Sequence, residues 1–276
     1  MVIPTAAAAP FAICVAARRS RARDVATCVL QMWAYVAAYQ MPHDDPEALE
    51  RRVHIDYPVR ADTVLGLGVP PTLRLQRLAN PDRFTRLDKV LVWAHWVWFF
   101  VPHSSLAYVL LRHRKRFPRA AVMLYAVFDL GAVVYWAVPT APPWYAARHG
   151  RMTFPHMPAV RRMMEEYGAE FWKDNWGPLY SFLGGNPLAA MPSLHFATSV
   201  MAAQILTETG PVAGAVGWTY ALTLGFALVY LGEHYLVDLL VGVTLTQGVR
   251  RLGPRAAPLL LRVSRGIQLL EARAHA

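Results

Sequence analysis

Long apolar stretches alternate with clusters of charge along this chain. Between Asp24 and Asp44 lie 19 residues without Asp, Glu, Lys or Arg, and between Lys89 and Arg112 lie 22. From Ala120 to Ala147 the one charge is Asp129, and residues 175–207 and 209–232 carry none. A bilayer core takes roughly 17–25 mostly apolar helical residues. The pattern therefore predicts six membrane-spanning helices, over residues 25–42, 90–111, 120–139, 193–207, 211–231 and 234–250. The last is the least regular, because Asp238 interrupts it and Arg250 closes its apolar stretch. The expected fold is all-α: a polytopic six-transmembrane-helix bundle forming a single membrane-embedded domain over residues 1–276.

The segments between the spans differ in character. Residues 43–89 mix acids, arginines and apolar residues around Pro58, Pro70, Pro71 and Pro81. That composition suits short interfacial helices. Residues 140–192 are rich in proline and glycine, including Gly184, Gly185 and Pro187. The apolar N-terminal run from Ile3 to Ala17 is short, holds two prolines and has its arginines after it. It reads as a frayed or interfacial tail rather than a signal peptide or a seventh span. No repeat and no nucleotide-binding glycine pattern is present.

Composition agrees with the pattern. Of 276 residues 55% are hydrophobic and 17% charged, against about 25% charged in a soluble domain; mean hydropathy is +0.25. Soluble globular, collagenous and disordered classes are excluded. Cys14 and Cys28 are too few for a disulfide framework or a four-cysteine zinc site. A net charge of +10 raises nucleic acid as a partner, but the arginines are placed as topology signals, so no nucleic-acid partner is expected. Arg18, Arg19, Arg21 and Arg23 precede the first span; Arg112, Arg114, Lys115, Arg116 and Arg119 link the second and third; Arg250, Arg251, Arg255, Arg262, Arg265 and Arg273 follow the last. Six spans put all of them on one side. The positive-inside rule makes that side cytoplasmic, with residues 1–24 and 252–276 as basic tails. Both long linking segments, and their interfacial helices, then lie outside a bacterial-type plasma membrane.

Two polar stretches sit where spans meet that outer face. One is Asn186-Pro-Leu-Ala-Ala-Met-Pro-Ser-Leu-His195 and the other Tyr230-Leu-Gly-Glu-His-Tyr-Leu-Val-Asp238. Ser193 follows Pro192 at an expected helix start, where free N–H groups favour an anion. His234 and Asp238 are four residues apart and share one helical face. This suits phosphoryl transfer: a neutral imidazole attacks phosphorus while a carboxylate on its other nitrogen fixes the tautomer. A second histidine protonates the leaving oxygen. The spacing alone leaves open an interfacial His/Asp pair without chemistry, and a metal site lacking a third ligand.

At these residues the chain resembles the type 2 phosphatidic acid phosphatase superfamily. Pro192-Ser193-Leu194-His195 and Tyr230-Leu-Gly-Glu-His234-Tyr-Leu-Val-Asp238-Leu-Leu-Val-Gly242 are similar to its second and third motifs. Leu194 and Pro139-Thr-Ala-Pro-Pro-Trp-Tyr145 resemble the branch of fungal inositol phosphorylceramide synthases and their bacterial relatives; Asp88 to Pro102, with His95, is a looser match. The resemblance implies six spans and an extracytoplasmic site with His234 as nucleophile, Asp238 as its orienting partner and His195 as general acid/base. Ser193 and His95 would contact substrate. The chain departs from the superfamily in two places. Leu228 stands where many members carry arginine, and the lysine-to-Arg-Pro first motif is missing. Arg148, Arg151, Arg161, Arg162 and Lys173 are the candidate replacement cations, each with an alternative as an interfacial residue facing lipid headgroups.

The function expected is a lipid phosphatase or phosphotransferase acting on a lipid phosphate or phosphodiester, with water or an alcohol such as inositol as acceptor and no cofactor or metal required. The alternative is a transporter or scaffold that keeps the fold. Transporters gather polar groups near the midplane, where this chain offers only Asp129, a functional suspect or a packing residue.

Overall fold

The structure is a computed structural model that describes residues 2–40, 45–178 and 186–276. Gly184, Gly185 and the last two residues of the first predicted span lie outside the described residues. Among those described there are helices and isolated bridges but no strands.

In chain order the helices are α1 (Val2–Ala16), α2 (Arg21–Gln40), α3 (Pro46–Arg52), α4 (Asp56–Leu65), α5 (Pro71–Gln76), α6 (Arg86–Trp96), α7 (Phe100–Arg112), α8 (Phe117–Ala137), α9 (Pro143–Arg148), α10 (Met163–Trp172), α11 (Leu194–Thr207), α12 (Pro211–Tyr230) and α13 (Leu236–Ala274). Two of them, α8 and α12, are long and apolar enough to cross a membrane. Both place apolar residues outward as well as inward: Val122, Leu130 and Val133 on α8, and Val212, Val216 and Leu222 on α12, are exposed. A helix that is apolar all round needs an apolar surrounding. At 14 residues α11 rises about 21 Å, and it packs against α7, α8, α12 and α13.

Four expectations need correction. The apolar stretch 90–111 is two helices, because Pro102 has no N–H to donate and its ring crowds the carbonyl four residues back. The chain relaxes into i→i+3 bonds there, with Phe100 N–H donating to Val97 and Val101 N–H to Trp98. The first of these helices also starts early, at Arg86, since Thr85 caps it and Asp88 reaches back to the Thr85 N–H at 2.6 Å. The last predicted span does not stop at Arg250. α13 runs 39 residues through Pro254 and Pro258, about 58 Å, so the expected C-terminal tail is helical. Residues 2–16 are not frayed: α1 packs on α2 and α13, and Glu271 accepts from Arg19 at 2.8 Å and Arg23 at 2.7 Å.

The short helices α4, α5, α9 and α10 gather at the end of the bundle where α11 and α13 begin and α12 ends. α4 packs on α13, α5 on α12, α9 on α4 and α10 on α6. Isolated bridges tie His54 to Thr140 and Thr140 to Ala189. Buried Gln76 fastens the linking segment to α12. Its amide donates to the carbonyls of Arg161 (2.8 Å) and Tyr230 (2.9 Å) and accepts from the Arg161 N–H (2.8 Å).

Candidate active site

α13 starts after a tight turn. Gly232 has φ +82°, and a Cβ there would sit 2.6 Å from the Arg161 carbonyl, so only glycine fits. The turn delivers His234 to the start of α13, one helical turn before Asp238. Nδ1 of His234 lies 3.2 Å from Oδ2 of Asp238, which also accepts the Tyr235 N–H at 2.9 Å. Asp238 is fully buried and His234 nearly so. With the carboxylate accepting from Nδ1, the lone pair of His234 is on Nε2.

That Nε2 faces His195. The second histidine opens α11, whose first turn is capped by the Ser193 hydroxyl accepting from the Phe196 N–H at 3.4 Å. Backbone joins the two helix starts directly: Ser193 N–H donates to the Asp238 carbonyl at 3.0 Å. His195 Nδ1 thereby lies 3.3 Å from His234 Nε2, across 39 residues of sequence. The His195 ring packs against His95 (centroids 4.8 Å apart, stacked) and Trp98 (4.2 Å). Trp98 is fixed by donating from Nε1 to Thr198 at 3.0 Å. His95 lies in the last turn of α6 and Trp98 in the short link to α7, which packs against α11.

The candidate cations separate. Arg162 has a largely buried guanidinium that lies over the Trp144 ring at 4.0 Å, donates from Nε to Glu233 at 3.2 Å, and pairs with Glu165. It is within electrostatic reach of His95, as Glu233 is of His234. Burial pushes the Glu233 carboxyl up, and Arg162 opposes this. Arg148 stands behind, over Trp144 at 4.9 Å and 3.6 Å from Glu165. Arg161 is turned to Glu166 and Phe84. Arg151 pairs with Asp56 at 3.5 Å, and Lys173 is exposed at the end of α10. Among the described residues, no hydrogen bond, ion pair or ring contact joins Arg151 or Lys173 to the histidines. No cluster of three or more metal-ligating side chains occurs among them either. Asp129 belongs elsewhere, accepting from Gln31 of α2 at 3.1 and 3.2 Å on the outer face of α8.

A profile of the PAP2 superfamily matches residues 57–250. The chain belongs to the PAP2 superfamily. Within it, the chain is 28% identical over 146 residues to the phosphoinositol dihydroceramide synthase of Bacteroides thetaiotaomicron, covering 48% of this chain and 44% of that protein. It is 30% identical over 122 residues to the inositol phosphorylceramide synthase of Candida albicans, covering 42% of this chain and 25% of that protein. The corresponding catalytic subunit of Schizosaccharomyces pombe gives 30% over 122 residues, 42% of this chain and 27% of that protein. The chain thus matches less than half the length of these curated relatives. They are the branch of the superfamily that the Pro-Pro-Trp and histidine motifs resemble. No solved structure matches.

Several residues around the candidate site of this PAP2 superfamily member carry little local sequence signal. Asp62, fully buried on α4, accepts the N–H groups of Leu236 (3.2 Å) and Val237 (2.9 Å) at the first turn of α13. It holds the start of the helix that carries Asp238. Burial pushes its carboxyl up to about 6, against the two N–H bonds. Tyr135 of α8 donates to the Pro192 carbonyl at 2.7 Å and so anchors the loop before Ser193. Trp98 reads in sequence as one more interfacial tryptophan, and Glu233 as one more loop acid. The one available hint was that Glu233 adjoins His234.

Proposed function

We propose that the chain is an integral-membrane lipid phosphotransferase or phosphatase that works through a phosphohistidine intermediate. In this reading six segments cross the bilayer as one domain, both termini are cytoplasmic, and the histidines open to the outside of a bacterial-type plasma membrane. The segments are α2, the α6–α7 pair, α8, α11, α12 and the first half of α13. The observation that carries the chemistry is the relay of Asp238 to Nδ1 of His234 and Nε2 of His234 to His195.

In the first step the Nε2 lone pair of His234 attacks phosphorus. The bond to the leaving lipid oxygen breaks, and His195 gives that oxygen a proton. Asp238 stabilises the positive charge that forms on the ring. In the second step an acceptor hydroxyl gives its proton to His195 and attacks phosphorus, and the N–P bond breaks back to the lone pair. Arg162, the N-terminus of α11 and Ser193 stabilise the phosphoryl oxygens. Arg148 adds charge behind Arg162, and His95 packs beside His195 where substrate would enter. No step calls for a metal or cofactor. The names of the relatives support a lipid phosphodiester as donor and an alcohol, inositol or a lipid hydroxyl, as acceptor.

The test is to quench the purified chain during turnover of phosphatidylinositol or phosphatidic acid and look for acid-labile, base-stable phosphate on protein. His234→Ala should form none. His195→Ala should accumulate label from a nitrophenyl phosphate while losing about 10²–10⁴-fold on a lipid alkoxide leaving group. Undiminished turnover in His234→Ala ends the reading.

A further inference from the structure

The residues around His234 hold an unusual balance of charge for a site that takes a phosphate. Each nearby arginine already has a carboxylate: Arg148 has Glu165, Arg161 has Glu166, and Arg162 has both Glu165 and Glu233. With Asp238 under the histidine, four carboxylates face three guanidiniums. Two of these pairings are exposed and screened by water. The pairing of Arg162 with Glu233 is not, since each side chain is only 10% exposed. Trp144 covers the guanidinium, and Glu233 is the residue immediately before the nucleophile.

We infer that Glu233 is a specificity-determining carboxylate: paired with Arg162 beside His234, it makes the site select monoanionic phosphodiesters over dianionic phosphomonoesters. The inference rests on His234 being the phosphate-accepting group. A guanidinium has five N–H donors in a planar fork, so Arg162 can serve Glu233 and one phosphodiester oxygen together. A phosphomonoester brings a second negative charge to the same place, where Arg162 is already neutralised. One extra unit charge facing a fixed carboxylate at roughly 6 Å, with an effective dielectric of about 20, is worth on the order of a hundredfold in affinity. Burial raises the cost of the Glu233 charge and makes it depend on Arg162. A dianion that captured the arginine would leave this carboxylate unpaired although its side chain is only 10% exposed.

The experiment uses the full chain in detergent and two soluble probes at about pH 7.5, where a phosphomonoester is mostly a dianion. Phenyl phosphate is the dianion and methyl phenyl phosphate the monoanion; binding is measured by calorimetry. Wild type should bind the diester more tightly. Glu233→Gln keeps the shape and an acceptor for Arg162, and should tighten both probes but phenyl phosphate by about tenfold or more beyond the diester, because the dianion loses one more unit of repulsion. The kcat/KM ratio of phosphatidic acid to phosphatidylinositol should shift the same way. Glu233→Asp keeps the charge and should keep the preference. A wild type that prefers phenyl phosphate overturns the inference, as does a Gln variant that changes both probes alike. Because binding is read without turnover, absence of phosphoenzyme tells against the His234 reading and not against this one.

Discussion

Replacing Gly242 by alanine tests the contact that sets the distance between the two histidines. Gly242 lies one turn beyond Asp238 on α13. A Cβ built there would fall 2.8 Å from the Ser193 carbonyl oxygen, 3.4 Å from Ala197 Cβ and 3.6 Å from the Ala197 nitrogen. The first contact is too close and its partner is backbone, so α11 and α13 must separate by about half an ångström. Gly248, on the same helix, would meet nothing within 4 Å. Alanine gains about 1 kcal/mol of helix propensity over glycine at either position. Gly248→Ala should therefore be stabilised by up to that amount. Gly242→Ala gains the same but loses about 1–3 kcal/mol to overpacking; the gap between the two variants measures the contact. Ser193 N–H is also the donor to the Asp238 carbonyl, so separation opens the 3.3 Å approach of His195 to His234. A misplacement of about 1 Å costs about 10²-fold in rate, and half of that about tenfold. Denaturation in detergent micelles and kcat/KM on a lipid phosphate read the two effects. If Gly242→Ala matches Gly248→Ala in both, the close approach of α11 to α13 does not position the site.

Three further outcomes are expected. The carboxyl of Asp62 is raised to about 6 in the folded chain, above its unfolded value of about 3.9. The folded state then binds more protons between those values, so the Asp62 contribution to stability is full below about pH 4 and is lost as pH rises through about 6. Asp62→Asn should flatten that part of the pH–stability profile, and an unchanged wild-type-minus-variant difference from pH 4 to 6 would contradict it. Arg19 and Arg23 hold the Glu271 carboxyl well below the usual carboxylate range, so Glu271→Ala should release α1 from α13. Trypsin should then cut sooner after Arg18–Arg23, with kcat/KM unchanged. Lys173→Cys, in a chain lacking Cys14 and Cys28, should react with an impermeant maleimide from outside intact cells; protection there with labelling of inverted vesicles would reverse the orientation.

What the sequence by itself determined is what depends on neighbours along the chain. Apolar runs with at most one charge located α8, α11 and α12 within a few residues, because a helix satisfies its own backbone and needs only the right side chains over one stretch. The four-residue spacing placed His234 beside Asp238 across the start of α13, just ahead of its first helical residue, and a serine after proline marked the start of α11, since both are set by local chain geometry at a helix N-terminus. Even the break before α7 was present locally, in Pro102, although the charge-free run concealed it. The tertiary structure decided everything that joins distant segments. His195 meets His234 only because α11 and α13 begin at one end of the bundle with backbone touching backbone. Asp62 caps a helix 174 residues away. Of five candidate arginines and lysines, packing against Trp144 and Glu233 brought Arg162 to the histidines, which its type and neighbours could not foretell. Short-range periodicity names the elements and the pairs within them; which faces then press together is settled by close packing over the whole bundle.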